Sequence, residues 1–88
     1  MIYSTTVKNE TGIHARPAKV LVQEASKFVS DIKIKANDIS VNCKSIMSVL
    51  ALGATKGTNV EIDISGEDEK DAYNAIKYLF ENNLNEPK

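Results

Sequence analysis

The feature that most constrains this chain is a set of alternating apolar strings: Ile32, Ile34 and Ala36; Ile39, Val41 and Cys43; Val60, Ile62 and Ile64. Successive side chains of a strand point to opposite faces, so each string predicts a strand with one buried and one solvated face. Lys33 and Lys35, Ser40 and Asn42, and Glu61 and Asp63 occupy the polar positions between them. The first residues follow the same rule, with Tyr3, Thr5 and Val7 on one side and Ser4, Thr6 and Lys8 on the other. Across the polar pair Asn37-Asp38 the first two strings predict a hairpin. A sheet that is apolar on one face must have that face covered, and the rest of the chain has to supply the cover.

The remaining segments change period. From Arg16 onward, Ala18, Leu21, Val22, Ala25 and Phe28 recur at helical spacing, with Lys19, Gln23, Glu24 and Lys27 opposite. Ala72, Ala75, Ile76 and Leu79 make a second helical stripe, and the acidic residues Glu67, Asp68, Glu69 and Asp71 lie around its start, where negative charge is favourable. Between the two, Ser45 can cap and Gly53 can stop a helix of one to two turns over Ile46 to Leu52. The element order is therefore strand, helix, strand, strand, helix, strand, helix, which predicts a two-layer α+β domain with an antiparallel sheet. Residues 1–88 contain no repeat, linker or low-complexity segment and are expected to form one domain. The closing "NLNEPK", with Pro87 to end the helix and little to bury, is expected to fray.

Composition removes several function classes. A net charge of -1, the absence of Trp and the lack of a Lys/Arg block give no electrostatic footprint for nucleic acid. No apolar run approaches the roughly 20 residues of a membrane span, and "MIYSTTVKNE" lacks the apolar centre of a signal peptide. The expectation is a cytoplasmic protein without membrane insertion. Cys43 is the only cysteine and His14 the only histidine, so neither an internal disulfide nor a structural zinc site can be assembled. Cys43 is expected to be a small buried hydrophobe, and no metal or organic cofactor is called for.

The lone histidine stands in "NETGIHARPAKVLV". Proline is tolerated in the first turn of a helix, where its missing N–H would have no acceptor, so Pro17 predicts a helix beginning at Ala15 or Arg16, with His14 at or beside its N-cap. N–H groups at a helix start carry partial positive charge, which favours an anion and a neutral imidazole. A neutral imidazole has a nitrogen lone pair, and oxyanions of a phosphoryl group attacked by it would lie beside open N–H donors and Arg16. Gly12 allows a tight turn before His14 and an approach unobstructed by a side chain. Spacing alone leaves two readings open: a nucleophile beside an anion site, or a histidine that caps a surface helix.

"TGIHARPA" resembles the active-site motif of the HPr family, the phosphocarriers of the bacterial phosphoenolpyruvate-dependent sugar phosphotransferase system. "KSIMSVLALGATKG" resembles the family's second signature, and the element order fits its open-faced sandwich of four antiparallel strands covered on one face by three helices. The resemblance implies that His14 receives a phosphoryl group at Nδ1 from phosphorylated enzyme I and passes it to a histidine of a sugar-specific enzyme IIA domain. Arg16 and the helix start, comprising Gly12, Ala15 and Pro17, would stabilise the moving group. Such a protein is a covalent relay rather than an enzyme. Ile46, Met47 and Leu50 match the family's partner-docking patch, an ordinary core role being the alternative for each; Val49 and Leu52 are expected in the core.

Ser45 is placed as an N-cap worth roughly 1 kcal/mol. "KSIM" resembles the regulatory site of the low-GC Gram-positive HPr proteins, which implies modification of Ser45 by an ATP-dependent HPr kinase/phosphorylase. A phosphate there adds about -1.5 to -2 charges beside the patch that enzyme I approaches. In the family the serine-phosphorylated form also serves as corepressor for catabolite control protein A, so contact with DNA belongs to that partner. Lys19 lies where a small or uncharged residue is frequent in the family. A purely regulatory module would need only Ser45, as in the related branch that lacks the histidine, and a nitrogen-branch carrier would keep the His14 chemistry. The presence of His14 argues against the first, and "KSIM" favours the sugar branch.

Overall fold

A computed structural model describes residues 1–85. Its elements are β1 (Ile2–Thr6), α1 (Ala15–Ala25), β2 (Asp31–Ala36), β3 (Ile39–Asn42), α2 (Ile46–Ala51), β4 (Asn59–Ser65) and α3 (Glu69–Glu81), followed by a short 3-10 turn over Asn83–Asn85. The order matches the one expected from the change of period. The strands form one sheet in the order β1-β4-β2-β3, and each neighbouring pair is antiparallel.

Register follows from the alternation. Ile34 lies opposite Ile62 and Ile32 opposite Ile64, while Ile62 and Val60 face Tyr3 and Thr5 on the other side. A slip of one residue would turn all of these side chains to solvent, so burial of one face specifies the pairing strongly. On the open face Lys33 stands opposite Asp63 and Lys35 opposite Glu61. Asn37 and Asp38 close the hairpin with φ of 53° and 65°, the two left-handed residues of a two-residue type I′ turn, which Asn and Asp tolerate well.

The helices cover the apolar face. Leu21 of α1 and Ile76 of α3 are fully buried with Ile32, Ile34, Ile62 and Ile64. Each such side chain contributes about 1.5–3 kcal/mol by leaving water. Tyr3 meets Tyr73 edge-on at 5.8 Å between ring centres and Phe80 at 6.0 Å, which seats α3 against β1. Cys43 is fully buried, and burial pushes its thiol pKa up to about 12.

The structure differs from the sequence expectation at element ends. Helix α1 stops at Ala25, so Phe28 packs against the core from the following loop, and Val22 is only half-buried. Ile39 belongs to the buried parity yet is 51% exposed, because β3 is an edge strand and only its far end reaches Cys43 beneath the helices. The expected fraying of the C-terminal segment is corrected at its first residues. Leu84 is 1% exposed and is held by α1 and α3, which both contact the Asn83–Asn85 turn. The chain reverses tightly enough after α3 to drop one leucine into the core. Pro87 lies outside the described residues. No helix among the described residues is long and apolar enough to cross a membrane.

Candidate functional site

Helix α1 begins at Ala15, with His14 as its N-cap residue in an extended conformation (φ -90°, ψ -167°). The first intrahelical bond runs from the Ala18 amide to the His14 carbonyl at 2.9 Å. Pro17 therefore occupies the first turn, where it removes no bond, and it is buried. The amides of Ala15 and Arg16 precede the first residue able to donate within the helix, so this end offers two N–H groups beside an exposed imidazole. His14 makes no side-chain capping bond to the helix. Arg16 and Lys19 are exposed on the same first turns, and acidic residues are absent from the first turn. The local field is accordingly one that suits an anion.

The loop that leads to His14 is held from two sides. Val7 and Gly57 are joined by Gly57 N donating to Val7 O at 2.9 Å, and Val7 N donates to Thr58 O at 2.9 Å. Nearer the site, Ile13 is buried and its amide donates to Ala54 O at 2.9 Å. Lys56 Nζ meets Glu10 Oε1 at 2.5 Å, and this ammonium holds the Glu10 carboxyl below its ordinary range. On the other side, the Asn9 amide group donates through Nδ2 to Asn83 O at 2.7 Å.

Gly12 serves the site differently from the sequence expectation. It has φ +71° and is buried, and a Cβ there would lie 2.8 Å from Thr55 Cα. Its missing side chain therefore faces the Ala54–Thr55 backbone and permits the two loops to touch. The turn itself is as expected, with Gly12 N donating to Asn9 O at 3.0 Å. An unobstructed approach to His14 is not what this glycine supplies.

Helix α2 packs on α1 and leads through Gly53 into the Ala54 loop that holds Ile13. Ser45 is its N-cap residue, and Ser45 Oγ accepts from Ser48 N at 3.3 Å. At about 1.5 Å per residue, the six residues of α2 make a helix about 9 Å long, with Ser45 at its start and the loop that touches Ile13 beyond its end. Met47 is 75% exposed and Ile46 is 37% exposed, whereas Leu50 is half-buried against the core. Val49 and Leu52 are buried, as expected. Among the described residues no group of three or more His, Cys, Asp or Glu side chains could hold a metal ion.

Residues 3–82 match the family described as the PTS HPr component phosphorylation site. The chain belongs to the HPr family. HPr-C-His from Thermoanaerobacter tengcongensis is 40% identical with a TM-score of 0.94, covering 100% of this chain and 99% of its own. The Mycoplasma histidine-containing phosphocarrier protein is 42% identical with a TM-score of 0.90, over 96% of this chain and 97% of its own. Crh, the catabolite repression HPr of Bacillus subtilis, is 38% identical with a TM-score of 0.65, over 92% of this chain and 98% of its own. The four-stranded antiparallel sheet under three helices is the HPr fold, and HPr proteins are phosphocarriers of the phosphotransferase system rather than catalysts.

Sequence reasoning passed over Ala54, Asn9 and Asn83, which hold the HPr loop in place. Ala54 acts through its carbonyl, and a backbone contact between distant loops leaves no residue-type signal. Asn9 is of a residue type common in turns, but its burial at 7% exposure and its reach to Asn83 depend on the chain end folding back.

Proposed function

We propose that this HPr-family protein accepts a phosphoryl group on His14 from phosphorylated enzyme I and passes it to sugar-specific enzyme IIA domains. The observation that carries the reading is the exposed His14 at the start of α1, beside the open amides of Ala15 and Arg16 and the Arg16 guanidinium. In the first step the Nδ1 lone pair of His14 forms the new N–P bond while the N–P bond to the enzyme I imidazole breaks, and the electron pair of that bond returns to the donor nitrogen. The three phosphoryl oxygens keep their charge throughout, and Arg16 with the helix-start amides stabilises it. The second step is the same displacement with the enzyme IIA histidine as nucleophile. Gly12 and Pro17 set the turn and the helix start that hold His14 between them.

Both reaction partners are proteins, so the nucleophile has to stand on a surface that they can approach. Met47 and Ile46 supply exposed apolar area on α2, with Leu50 as its half-buried base, and methionine adapts to more than one partner. Ser45, one residue before this patch, is the regulatory site, modified by HPr kinase/phosphorylase. Its phosphate weakens docking to enzyme I by repulsion and desolvation, and the modified form binds catabolite control protein A. The likeness to Crh supports this regulatory layer.

Incubation with enzyme I and phosphoenolpyruvate tests the carrier role. The protein should gain an acid-labile phosphate that His14→Ala abolishes, and a parent protein that gains none would overturn the reading. A purely regulatory module would instead leave sugar phosphotransfer intact in His14→Ala.

A further inference from the structure

Asn9 combines two roles in one loop residue. Its carbonyl accepts the Gly12 amide at 3.0 Å and so closes the turn that delivers His14, and its side chain donates to the Asn83 carbonyl at 2.7 Å. Asn9 is 7% exposed, so this amide group sits where water cannot readily replace its partner. The acceptor belongs to an unusual piece of backbone. Asn83, Leu84 and Asn85 all have positive φ, at 54°, 54° and 63°. For a residue with a Cβ this conformation costs roughly 1–2 kcal/mol, and it persists only where surrounding contacts enforce it. Here those contacts are the burial of Leu84, the packing of the turn on α1 and α3, the Asn85 amide donating to Asn82 O at 3.0 Å, and the Asn9 bond.

The loop before His14 thus has one wall made by the 54–58 segment and another made by the chain end. The first wall is backbone to backbone, apart from the exposed Glu10–Lys56 pair. The second includes the hydrogen bond from the Asn9 side chain to the Asn83 carbonyl. We infer that Asn9 is a positioning residue for His14, fastening the phosphate-accepting loop to the left-handed turn at Asn83–Asn85 so that the imidazole is presented at a fixed angle to an in-line phosphoryl donor. The inference rests on the carrier role of His14 proposed above.

Asn9→Asp tests it, because the ionised carboxylate has nearly the shape of the amide but no N–H for the Asn83 carbonyl. Transfer from phosphorylated enzyme I at saturation should fall roughly tenfold, as misplacement of a reacting group by a fraction of an ångström allows. The KM for enzyme I should stay within about twofold, since the docking helix is untouched. Phosphorylation of Ser45 by HPr kinase/phosphorylase serves as an internal control and should also stay within about twofold. If the Asp variant does not fold, Asn9→Ser, which keeps a donor on a shorter arm, carries the same test. Saturated transfer equal to that of the parent would overturn the inference, as would an equal fall in transfer and in Ser45 modification, which marks general destabilisation. A parent that accepts no phosphate overturns the carrier reading itself, whereas a parent that accepts phosphate alongside an unimpaired variant overturns only the role of Asn9.

Discussion

The amide of Ile13 donates to the carbonyl of Ala54 across 2.9 Å, so the residue that precedes His14 is held by the loop that follows α2. One hydrogen bond therefore joins the helix bearing Ser45 and the exposed Met47 to the loop bearing the histidine. The contact is possible because the neighbouring position, Gly12, presents no side chain to Thr55.

Gly12→Ala should be destabilising by about 2–3 kcal/mol, from a left-handed φ combined with backbone overlap. Gly53→Ala provides the comparison, since Gly53 also has positive φ (+61°) but nothing lies within 4 Å of its added Cβ. Its cost should be about 1 kcal/mol. Urea unfolding of the two variants checks the difference, and phosphate uptake at His14 should suffer only in the first.

Asp68 is the N-cap residue of α3, but its side chain makes no capping bond to the helix. Its carboxylate accepts the Val29 amide at 2.9 Å, the Ser30 amide at 3.0 Å and the Ser30 hydroxyl at 2.5 Å, tying the α1–β2 loop to the start of α3. The Ser30 hydroxyl and the Val29 amide hold its pKa below the ordinary 3.8. Because the folded value is the lower one, the associated stability is present in full above the unfolded value and is lost as pH falls through the folded value. The melting temperature of the parent should decline on acidification below about pH 4 more steeply than that of Asp68→Asn, which starts lower at neutral pH. Parallel acid limbs would contradict this.

Cys43 should be inert to thiol reagents in the folded protein. Its thiol is raised from 9.0 to about 12 by burial, and the thiolate is the reactive form. Reaction with a chromogenic disulfide at mild alkaline pH should be complete in denaturant and nearly absent without it. The stability tied to the neutral thiol is present below 9.0 and is lost as pH rises through about 12.

Met47→Glu and Val49→Ala should separate docking from folding. Met47 is 75% exposed and Val49 is 1% exposed, on the same six-residue helix. The first should leave stability within about 0.5 kcal/mol while lowering the rate of phosphate transfer from enzyme I. The second should cost about 1–3 kcal/mol, read by urea unfolding.

Alternation and helical spacing were enough to establish the order of elements, the buried parity of β2 and β4, and the Asn37-Asp38 hairpin, because side-chain direction in strands and helices is a local consequence of backbone geometry. The start of α1 was legible for the same reason: Pro17 restricts where a helix can begin, and His14 falls at its cap. Tertiary structure alone decided the exposure of Ile39, the descent of Leu84 into the core, the seam between Ile13 and Ala54, and the reach of Asn9 to Asn83. Each of these joins segments far apart in the chain or depends on where the sheet ends, and a one-dimensional pattern carries no record of which distant backbone will be adjacent.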